Sequence, residues 1–199
     1  HFPQQEKALI NAIGEMLKKK RKKVKILSSL KILSKKKFRF AQVISPFANL
    51  RLAPKKNGEV CTQLLCGSFI IAYFNHGRYV YISAPDGYLG YVHKKHLIFN
   101  EKPGYLNWLN GRRLRILADS EIKGYYLPAG SEFFSPKGSE ALLPDGNSLD
   151  LKKIKTAVHD PAKIPGINKM IEMGRSYLGT PYVWGGKGSR GIDCSGFTQ

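Results

Sequence analysis

A cysteine near the carboxyl-terminal end, Cys194, lies between Asp193 and Ser195 and follows the glycine-rich run TPYVWGGKGSRG. The proline and glycines of this run predict a tightly folded approach to the cysteine. At the first turn of a helix, the positive end and its unpaired amides stabilise a thiolate. The backbone amide of Cys194 or of Ser195 could donate a hydrogen bond to an oxyanion. These residues fit a nucleophile that attacks a carbonyl carbon, and they fit equally well an ordinary structural cysteine at the start of a helix.

The residues that would activate this thiol are harder to place. Asp193 would raise the pKa of a neighbouring thiol, so its carboxylate needs another partner. A cysteine nucleophile also needs a base, usually an imidazole. The five histidines all precede the cysteine in the chain: His1, His76, His93, His96 and His159. None of the five histidines therefore follows Cys194 in this sequence.

The other two cysteines, Cys61 and Cys66, lie in the apolar run VCTQLLCGSFII. They could form a disulfide, but small buried thiols are the favoured interpretation. No histidine stands at metal-ligand spacing from them, so we expect no metal, and thiol hydrolysis requires no organic cofactor. So few cysteines favour a reducing compartment.

Positive charge is concentrated at the amino-terminal end. The chain has 33 Lys and Arg against 14 Asp and Glu, and residues 1–40 hold 13 of the basic residues and 2 of the acidic ones. Such an arm, residues 1–37, fits an anionic polymer or an anionic membrane surface, or is simply a solvated tail. Nucleic acid is a disfavoured partner, because the remaining sequence offers no second surface to read it.

A helix is predicted over residues 4–17, where apolar residues recur at helical spacing, and the basic run Lys18–Lys23 follows it. This basic amphipathic helix would pack on its own protein or lie on a membrane surface. No apolar run reaches the ~18 residues of a membrane span. Lys25 and Lys31 interrupt what would be the core of an export signal. We therefore expect a cytoplasmic location, with the periplasm or cell envelope as the alternative.

Short β-rich runs separated by turn residues extend from about Phe38 to Ile98 and predict a small barrel. The stretch SPFANLRLAP and the closing GYLGYVHKKHL resemble a bacterial SH3 domain, which we assign to residues 38–100. Residues 101–160 repeat this texture more faintly and predict a second SH3-like barrel. The run HDPAKIPG reads as a linker, and INKMIEMGRSYLG predicts a helix that opens a third unit, residues 161–199.

The segment GRSYLGTPYVWGGKGSRGIDCSGFTQ closely resembles the opening of the NlpC-type cysteine peptidases, which have a papain-like fold. Their signature is Gly-x-Pro-Tyr-x-Trp-Gly-Gly followed by Asp-Cys-Ser-Gly-Phe, and every position is present, with Thr180 in the variable slot. The resemblance covers residues 166–199 and implies only the beginning of that domain. The fold expected for the whole chain is thus mainly β with α+β. A basic amphipathic helix and two SH3-like β-barrels precede the opening helices of a papain-like α+β domain.

The resemblance implies hydrolysis of the γ-D-glutamyl–diamino acid amide in peptidoglycan stem peptides, L-Ala-γ-D-Glu-diamino acid, with Cys194 as the nucleophile. It implies that Asp193 and Ser195 hold the free amino end of the peptide and that Tyr182 and Trp184 form the pocket wall. In relatives with this domain order the first SH3-like domain closes the site with a tyrosine and a glutamate. Tyr88 and Glu59 are the candidates for these two positions.

Two functions are compatible with these sequence features. In the first, the chain is the amino-terminal part of a cell-wall peptidase. The resemblance implies that the family's histidine base lies downstream of the cysteine, so we expect this 199-residue chain to be inactive as a hydrolase. In the second, it is a non-catalytic module whose SH3-like barrels bind peptidoglycan or wall peptides. Both predict the same two barrels, so the barrels do not separate them.

Overall fold

The computed structural model describes residues 11–13, 15–16, 39–154, 156–158 and 166–199. The chain divides into two compact units, residues 1–37 and residues 38–199. In the first unit the described residues are helical and solvent-exposed, which places them within the helix predicted over residues 4–17. The basic run that follows, and most of the predicted arm, residues 1–37, lie outside the described residues.

The first part of the larger unit is a seven-stranded antiparallel sheet. Its strands, in chain order, are β1 (Arg39–Val43), β2 (Phe47–Arg51), β3 (Val60–Leu65), β4 (Phe69–His76), β5 (Tyr79–Ser83), β6 (Leu89–His93) and β7 (Leu97–Asn100). Across the sheet they are ordered β3-β2-β6-β5-β4-β1-β7, and a short 3₁₀ helix, Lys94–His96, precedes β7.

Alternation of side chains explains why these segments form strands. In β5 the side chains of Val80 and Ile82 are fully buried, while Tyr79, Tyr81 and Ser83 on the opposite face are half-buried. A one-residue shift in register would turn these buried side chains to the solvent. Such a shift would be unfavourable, because burying an aliphatic side chain of this size contributes about 1.5–3 kcal/mol.

The second part begins with helix α1 (Lys102–Asn110), whose Tyr105 ring stacks on Phe40 at 4.1 Å between centroids. Its strands are β8 (Arg113–Ile116), β9 (Ser120–Ile122), β10 (Tyr125–Leu127), β11 (Glu132–Phe134), β12 (Glu140–Leu142), β13 (Ser148–Asp150) and β14 (Thr156–Val158). Five of them form an antiparallel sheet in the order β13-β12-β11-β8-β14, and β9 pairs with β10 as a separate two-stranded sheet. We refer to β1–β7 with their connecting segments as the first sheet, and to β8–β14 with theirs, including the β9–β10 pair, as the second sheet.

The two sheets are in direct contact. Cys66, which follows β3, is buried among apolar side chains of the second sheet, including Phe133 and Leu127. Gly67 has a positive φ of 85°, and a Cβ there would lie 2.1 Å from the carbonyl oxygen of Glu132. Only glycine satisfies both conditions, so this residue allows the two sheets to approach each other.

The last part of the chain contains helix α2 (Ile167–Arg175), the two-stranded ribbon β15 (Lys187–Gly188) and β16 (Gly191–Ile192), and helix α3 (Cys194–Thr198). Neither helix has a buried residue. The predicted linker, residues 159–166, lies almost wholly outside the described residues. Within the described part of the chain, no helix has the length and apolar character to cross a membrane.

The architecture is therefore mostly β with few helices, as expected. The identification of the two sheets with SH3-like barrels and the domain boundaries at residues 100 and 160 stay predictions. Residues 38–199 form a single compact unit, and the division of this unit at residues 100 and 160 stays a prediction.

Candidate functional site

Cys194 is the first residue of helix α3, and its side chain is exposed. Asp193 precedes it as the N-cap, with an extended backbone conformation of φ −107° and ψ 180°. The Asp193 carboxylate accepts a hydrogen bond from the amide of Gly196 at 2.7 Å, which is the usual N-cap interaction with the third residue of a helix. The geometry therefore places the thiol at the amino-terminal end of a short helix whose start is fixed by its acidic neighbour.

The same carboxylate has two further donors. Its Oδ1 accepts from the Ser195 hydroxyl at 2.7 Å, and its Oδ2 accepts from the Gly185 amide at 2.8 Å. Asp193 is 8% exposed, and burial by itself raises the pKa of a carboxyl group. The hydrogen bonds from Gly196, Ser195 and Gly185 outweigh that effect and lower the pKa of Asp193. The carboxylate thus has the separate partners that the sequence required of it.

The glycine-rich run folds into a turn that is closed by backbone hydrogen bonds. Val183 donates to the carbonyl of Ile192 at 3.2 Å, Ile192 donates to Pro181 at 3.0 Å, and Asp193 donates to Gly186 at 3.2 Å. A Cβ on Gly196 would lie 2.0 Å from the carbonyl oxygen of Gly186. The cysteine helix and the turn therefore approach more closely than any residue with a side chain would allow.

Gly185 is held between this turn and the first sheet. Its φ is 76°, and a Cβ at this position would lie 2.7 Å from Cγ1 of Val60 in β3. Glycine is thus required by both conformation and space. Because Gly185 also donates to Asp193, it links the first sheet to the N-cap of the cysteine helix through two contacts.

The aromatic residues assigned to the pocket wall are on the surface. Tyr182 is 66% exposed and Trp184 is 62% exposed. They lie on either side of Val183, whose amide is paired with the strand that precedes Cys194. Phe197 of helix α3 is also exposed and contacts the Tyr177 ring at 6.2 Å between centroids. The aromatic rings of the segment that carries the cysteine therefore present open apolar surface.

The two candidates from the first sheet flank its contact with the cysteine segment. Glu59 immediately precedes Val60, which packs on Gly185, and its side chain is exposed. Tyr88 follows the turn that contains Asp86, and Asp86 forms an ion pair with Lys187 of β15. Both residues therefore lie beside points of contact with the cysteine segment, and their role in binding stays a prediction.

Sequence reasoning missed the residues that attach the glycine-rich turn to the two sheets. On the first sheet these are Asp86, Gln63, whose side chain accepts from the Lys187 amide at 3.2 Å, and Phe47, which packs on Gly188. On the second sheet, Asp119 accepts from the Ser189 hydroxyl, and Tyr126 lies under the Arg190 guanidinium at 4.2 Å. No local pattern marks these partners, because they lie far apart in sequence.

The described histidines belong to the first sheet. His76 contacts Tyr91, His93 contacts Tyr79, and the His96 ring is hydrogen-bonded to the Ser45 hydroxyl at 2.7 Å. Burial, with Lys95 nearby, lowers the pKa of both His93 and His96. Within the described part of the chain, no cluster of His, Cys, Asp or Glu is arranged to hold a metal ion.

The three cysteines are free thiols in different environments. Burial raises the pKa of Cys66 to about 12. Burial and the charge of Glu59 raise the pKa of the half-buried Cys61. Cys194 alone among them is exposed, so it is the accessible thiol of the molecule.

Comparison with known proteins gives consistent results. Residues 179–199 match the NlpC/P60 family. The chain is 36% identical over 61 residues to a gamma-D-glutamyl-L-lysine dipeptidyl-peptidase of Bacillus cereus, in an alignment covering 29% of this chain and 18% of the relative. It is 24% identical over 173 residues to a gamma-D-glutamyl-L-lysine dipeptidyl-peptidase of Bacillus subtilis, covering 74% of this chain and 54% of the relative.

A similar fold occurs among solved structures. The crystal structure of an NlpC/P60 family protein from Bacillus cereus superposes with a TM-score of 0.67 at 20% identity, over 80% of this chain and 70% of that chain. The chain spans 18% and 54% of the lengths of the two peptidases that it matches in sequence.

Proposed function

We propose that the protein is part of a peptidase that acts on cell-wall peptides. Its residues 179–199 match the NlpC/P60 family, and the chain is similar in sequence to gamma-D-glutamyl-L-lysine dipeptidyl-peptidases. The bond cleaved is the γ-D-glutamyl–diamino acid amide of peptidoglycan stem peptides. The observation that carries the proposal is the exposed Cys194 thiol at the start of a helix that Asp193 caps, within the segment that matches the family.

Cys194 is the nucleophile in this proposal. Its sulfur attacks the carbonyl carbon of the scissile amide, and the carbonyl oxygen acquires negative charge as the C–S bond forms. Backbone amides at the first turn of helix α3 point toward the helix start, where they stabilise that charge. Tyr182 and Trp184, both exposed, supply flat apolar walls for the peptide.

Asp193 and Ser195 are proposed to bind the free amino end of the peptide. The Ser195 hydroxyl already lies against Asp193, so the two side chains form one polar group next to the nucleophile. Oδ2 of Asp193 accepts from the Gly185 amide, and an ionised carboxylate oxygen can accept a second donor. The ammonium group of the peptide would be that second donor. Glu59 and Tyr88 of the first sheet are proposed to close the site on the other side.

The 199-residue chain is proposed to have little or no hydrolytic activity by itself. All of its histidines precede Cys194, and the described ones have their partners on the first sheet. A cysteine without a base loses most of its activation. The exposed apolar side chains of helix α2 and the absence of buried residues in helices α2 and α3 further support a site that is incomplete in this chain.

The nucleophile and the substrate class can be tested without the missing base by covalent labelling. The probe is L-Ala-γ-D-Glu carrying a vinyl sulfone in place of the scissile amide, and its control is the same compound with L-Glu. We expect saturable labelling of Cys194 by the D-isomer, at least several-fold faster than by the L-isomer, measured by intact-mass and peptide mass spectrometry. Equal rates for the two isomers would exclude recognition of the γ-D-glutamyl group.

The role of the polar pair is tested with a second control, the N-acetylated probe. If Asp193 and Ser195 bind the ammonium group, acetylation should slow labelling of the wild-type protein. The same comparison with Ser195→Ala, which leaves both backbone donors to Asp193 in place, should show a smaller penalty. An acetylated probe that labels as fast as the free amine would remove the ammonium-binding role.

A second function remains a candidate, in which the chain binds peptidoglycan without cleaving it. The first sheet favours it, because the half-buried rings of Phe74, Tyr81 and Tyr91 lie next to one another on its outer face, at 4.9–6.4 Å between centroids. Retention on purified peptidoglycan that is unchanged by Cys194→Ala and by deletion of residues 166–199 would support it. We also propose that the basic arm binds an anionic polymer or membrane surface, which the same pull-down would test for the polymer. The location of the protein, cytoplasmic or in the cell envelope, is a further proposal that cell fractionation would test.

A further inference from the structure

The turn that carries residues 187–190 contacts both sheets of the molecule. Lys187 forms an ion pair with Asp86, and its amide donates to Gln63, so its partners belong to the first sheet. Ser189 donates to Asp119, and the Arg190 guanidinium lies over Tyr126 at 4.2 Å. The partners of these two residues belong to the second sheet. Three nearly consecutive side chains thus attach one turn to two separate parts of the fold.

Asp119 is the central acceptor of the second attachment. It lies in the connection between β8 and β9 and accepts from the Tyr126 hydroxyl at 2.5 Å, from the Ala129 amide at 2.9 Å and from Ser189. Burial of the carboxyl raises its pKa, but these three hydrogen bonds lower the pKa by more. The group is therefore an ionised carboxylate at neutral pH, and hydrogen bonds to an ionised acceptor are stronger than those to a neutral one.

A short hydrogen-bonded ribbon connects this turn to Cys194. Strand β16 follows the turn directly and pairs with β15 through Gly188 and Gly191. Asp193 comes next, with its amide on Gly186 and its carboxylate on Gly185. A displacement at Ser189 would therefore pass through a short, closely hydrogen-bonded ribbon to the N-cap of the cysteine helix.

We propose that Asp119 is a positioning residue for Cys194, through its hydrogen bond to Ser189. The second sheet would then have a direct part in the site: it holds the glycine-rich turn from one side while Asp86 and Gln63 of the first sheet hold it from the other. The catalytic meaning of this positioning rests on the proposed function, but the positioning itself is a property of the folded chain and can be measured without any hydrolysis.

A purely structural role for Asp119 is the competing explanation. Its bonds to Tyr126 and Ala129 close the connection between β8, β9 and β10, and a substitution could simply loosen the second sheet. Ser189 separates the two explanations. It is exposed, and Ser189→Ala removes the hydroxyl that contacts Asp119 and Tyr126 from the side of the turn, leaving the bonds of Asp119 to Tyr126 and Ala129 in place.

The experiment measures hydrogen–deuterium exchange by mass spectrometry on the full 199-residue chain, comparing the peptide that spans residues 183–197 with peptides from residues 113–134. The variants are Ser189→Ala, Ser189→Thr, which keeps the hydroxyl, and Asp119→Asn. The matched control is Asp145→Asn, since Asp145 also accepts from a tyrosine hydroxyl and a backbone amide of the second sheet, Tyr125 and Asn147, but not from the turn.

We expect Ser189→Ala to accelerate exchange in residues 183–197 by roughly three- to tenfold, the range for losing one hydrogen bond at an exposed site, with residues 113–134 unchanged. Asp119→Asn should accelerate the same peptide, and the double variant should be no faster than the faster single variant. Ser189→Thr and Asp145→Asn should match the wild type in residues 183–197.

Wild-type exchange in Ser189→Ala, or acceleration in Ser189→Thr equal to that in Ser189→Ala, would overturn the proposal. So would acceleration by Asp119→Asn confined to residues 113–134, or a double variant whose effects simply add. If Asp119→Asn does not fold, the two Ser189 variants still decide. The labelling rate of Cys194 by the γ-D-glutamyl vinyl sulfone is measured in parallel: failure of that reaction with normal exchange results would count against the proposed function and not against the positioning role.

Discussion

Replacing Asp193 by asparagine tests whether the acidic neighbour of Cys194 holds the site together. In the native arrangement Oδ1 accepts from Ser195 and Gly196, while Oδ2 accepts from Gly185. An asparagine can keep its carbonyl oxygen toward Ser195 and Gly196. Its amide nitrogen then faces the Gly185 N–H, so two donors oppose each other in a buried position.

The free-energy cost of Asp193→Asn comes mainly from the Gly185 contact. The substitution removes a hydrogen bond to an ionised acceptor and leaves a buried N–H without a partner, which together cost about 2–3 kcal/mol. Because every 1.4 kcal/mol is a factor of ten, the local opening equilibrium at Gly185 should rise by about 30- to 150-fold. The amide of Gly196 should change far less, because its acceptor is retained.

Residue-resolved hydrogen exchange by nuclear magnetic resonance measures both amides in one sample. The expected result is a large loss of protection at Gly185 and a small one at Gly196. The control is Asp150→Asn, whose carboxylate also accepts a backbone amide and a serine hydroxyl, but in the second sheet. Unchanged protection at Gly185, or equal losses at Gly185 and Gly196, would refute the assignment of separate acceptor oxygens.

Three further results are expected. The pKa of Asp193 is lowered in the folded chain, so the contribution of its carboxylate to stability is complete above the ordinary pKa of about 4 and is lost as the pH falls through the lower folded pKa. The difference in Gly185 protection between wild type and Asp193→Asn should therefore shrink on acidification. A constant difference down to pH 2 would contradict this. Iodoacetamide at pH 8 should modify Cys194 at least tenfold faster than Cys66, whose pKa is about 12, as read by peptide mass spectrometry; comparable rates would mean that Cys66 is not buried. Gly185→Ala combines an unfavourable positive φ with a 2.7 Å approach of the new Cβ to Val60, and it should increase hydrogen exchange in residues 183–197 by more than tenfold. The control Gly87→Ala has a similar φ of 85° but nothing within 4 Å of the new Cβ, so it should leave that segment at the wild-type rate. Equal exchange in the two variants would show that the contact with Val60 is unimportant.

The residues around Cys194 were predictable because their signals are local. An aspartate before a helix, a small residue after the cysteine and a run of glycines in a turn each act within a few positions of the chain, so their spacing predicts a capped helix start behind a tight turn. The alternation in β5 is local in the same way and predicts a strand with one buried face. The binding roles of Tyr182, Trp184 and Ser195, in contrast, came from the family resemblance and not from a local physical signal.

The sequence by itself predicted a thiol chemistry, because Cys194 lies in a pattern that resembles a known peptidase family, and it predicted a fold rich in short strands. It did not determine which distant residues hold that thiol in place. The contacts of Asp86 with Lys187 and of Asp119 with Ser189 join residues 101 and 70 positions apart. Side chains that far apart meet only after both sheets have formed and packed, through Gly67, against each other. A single sequence carries no periodic signal for such a pair, so only the tertiary structure decides it.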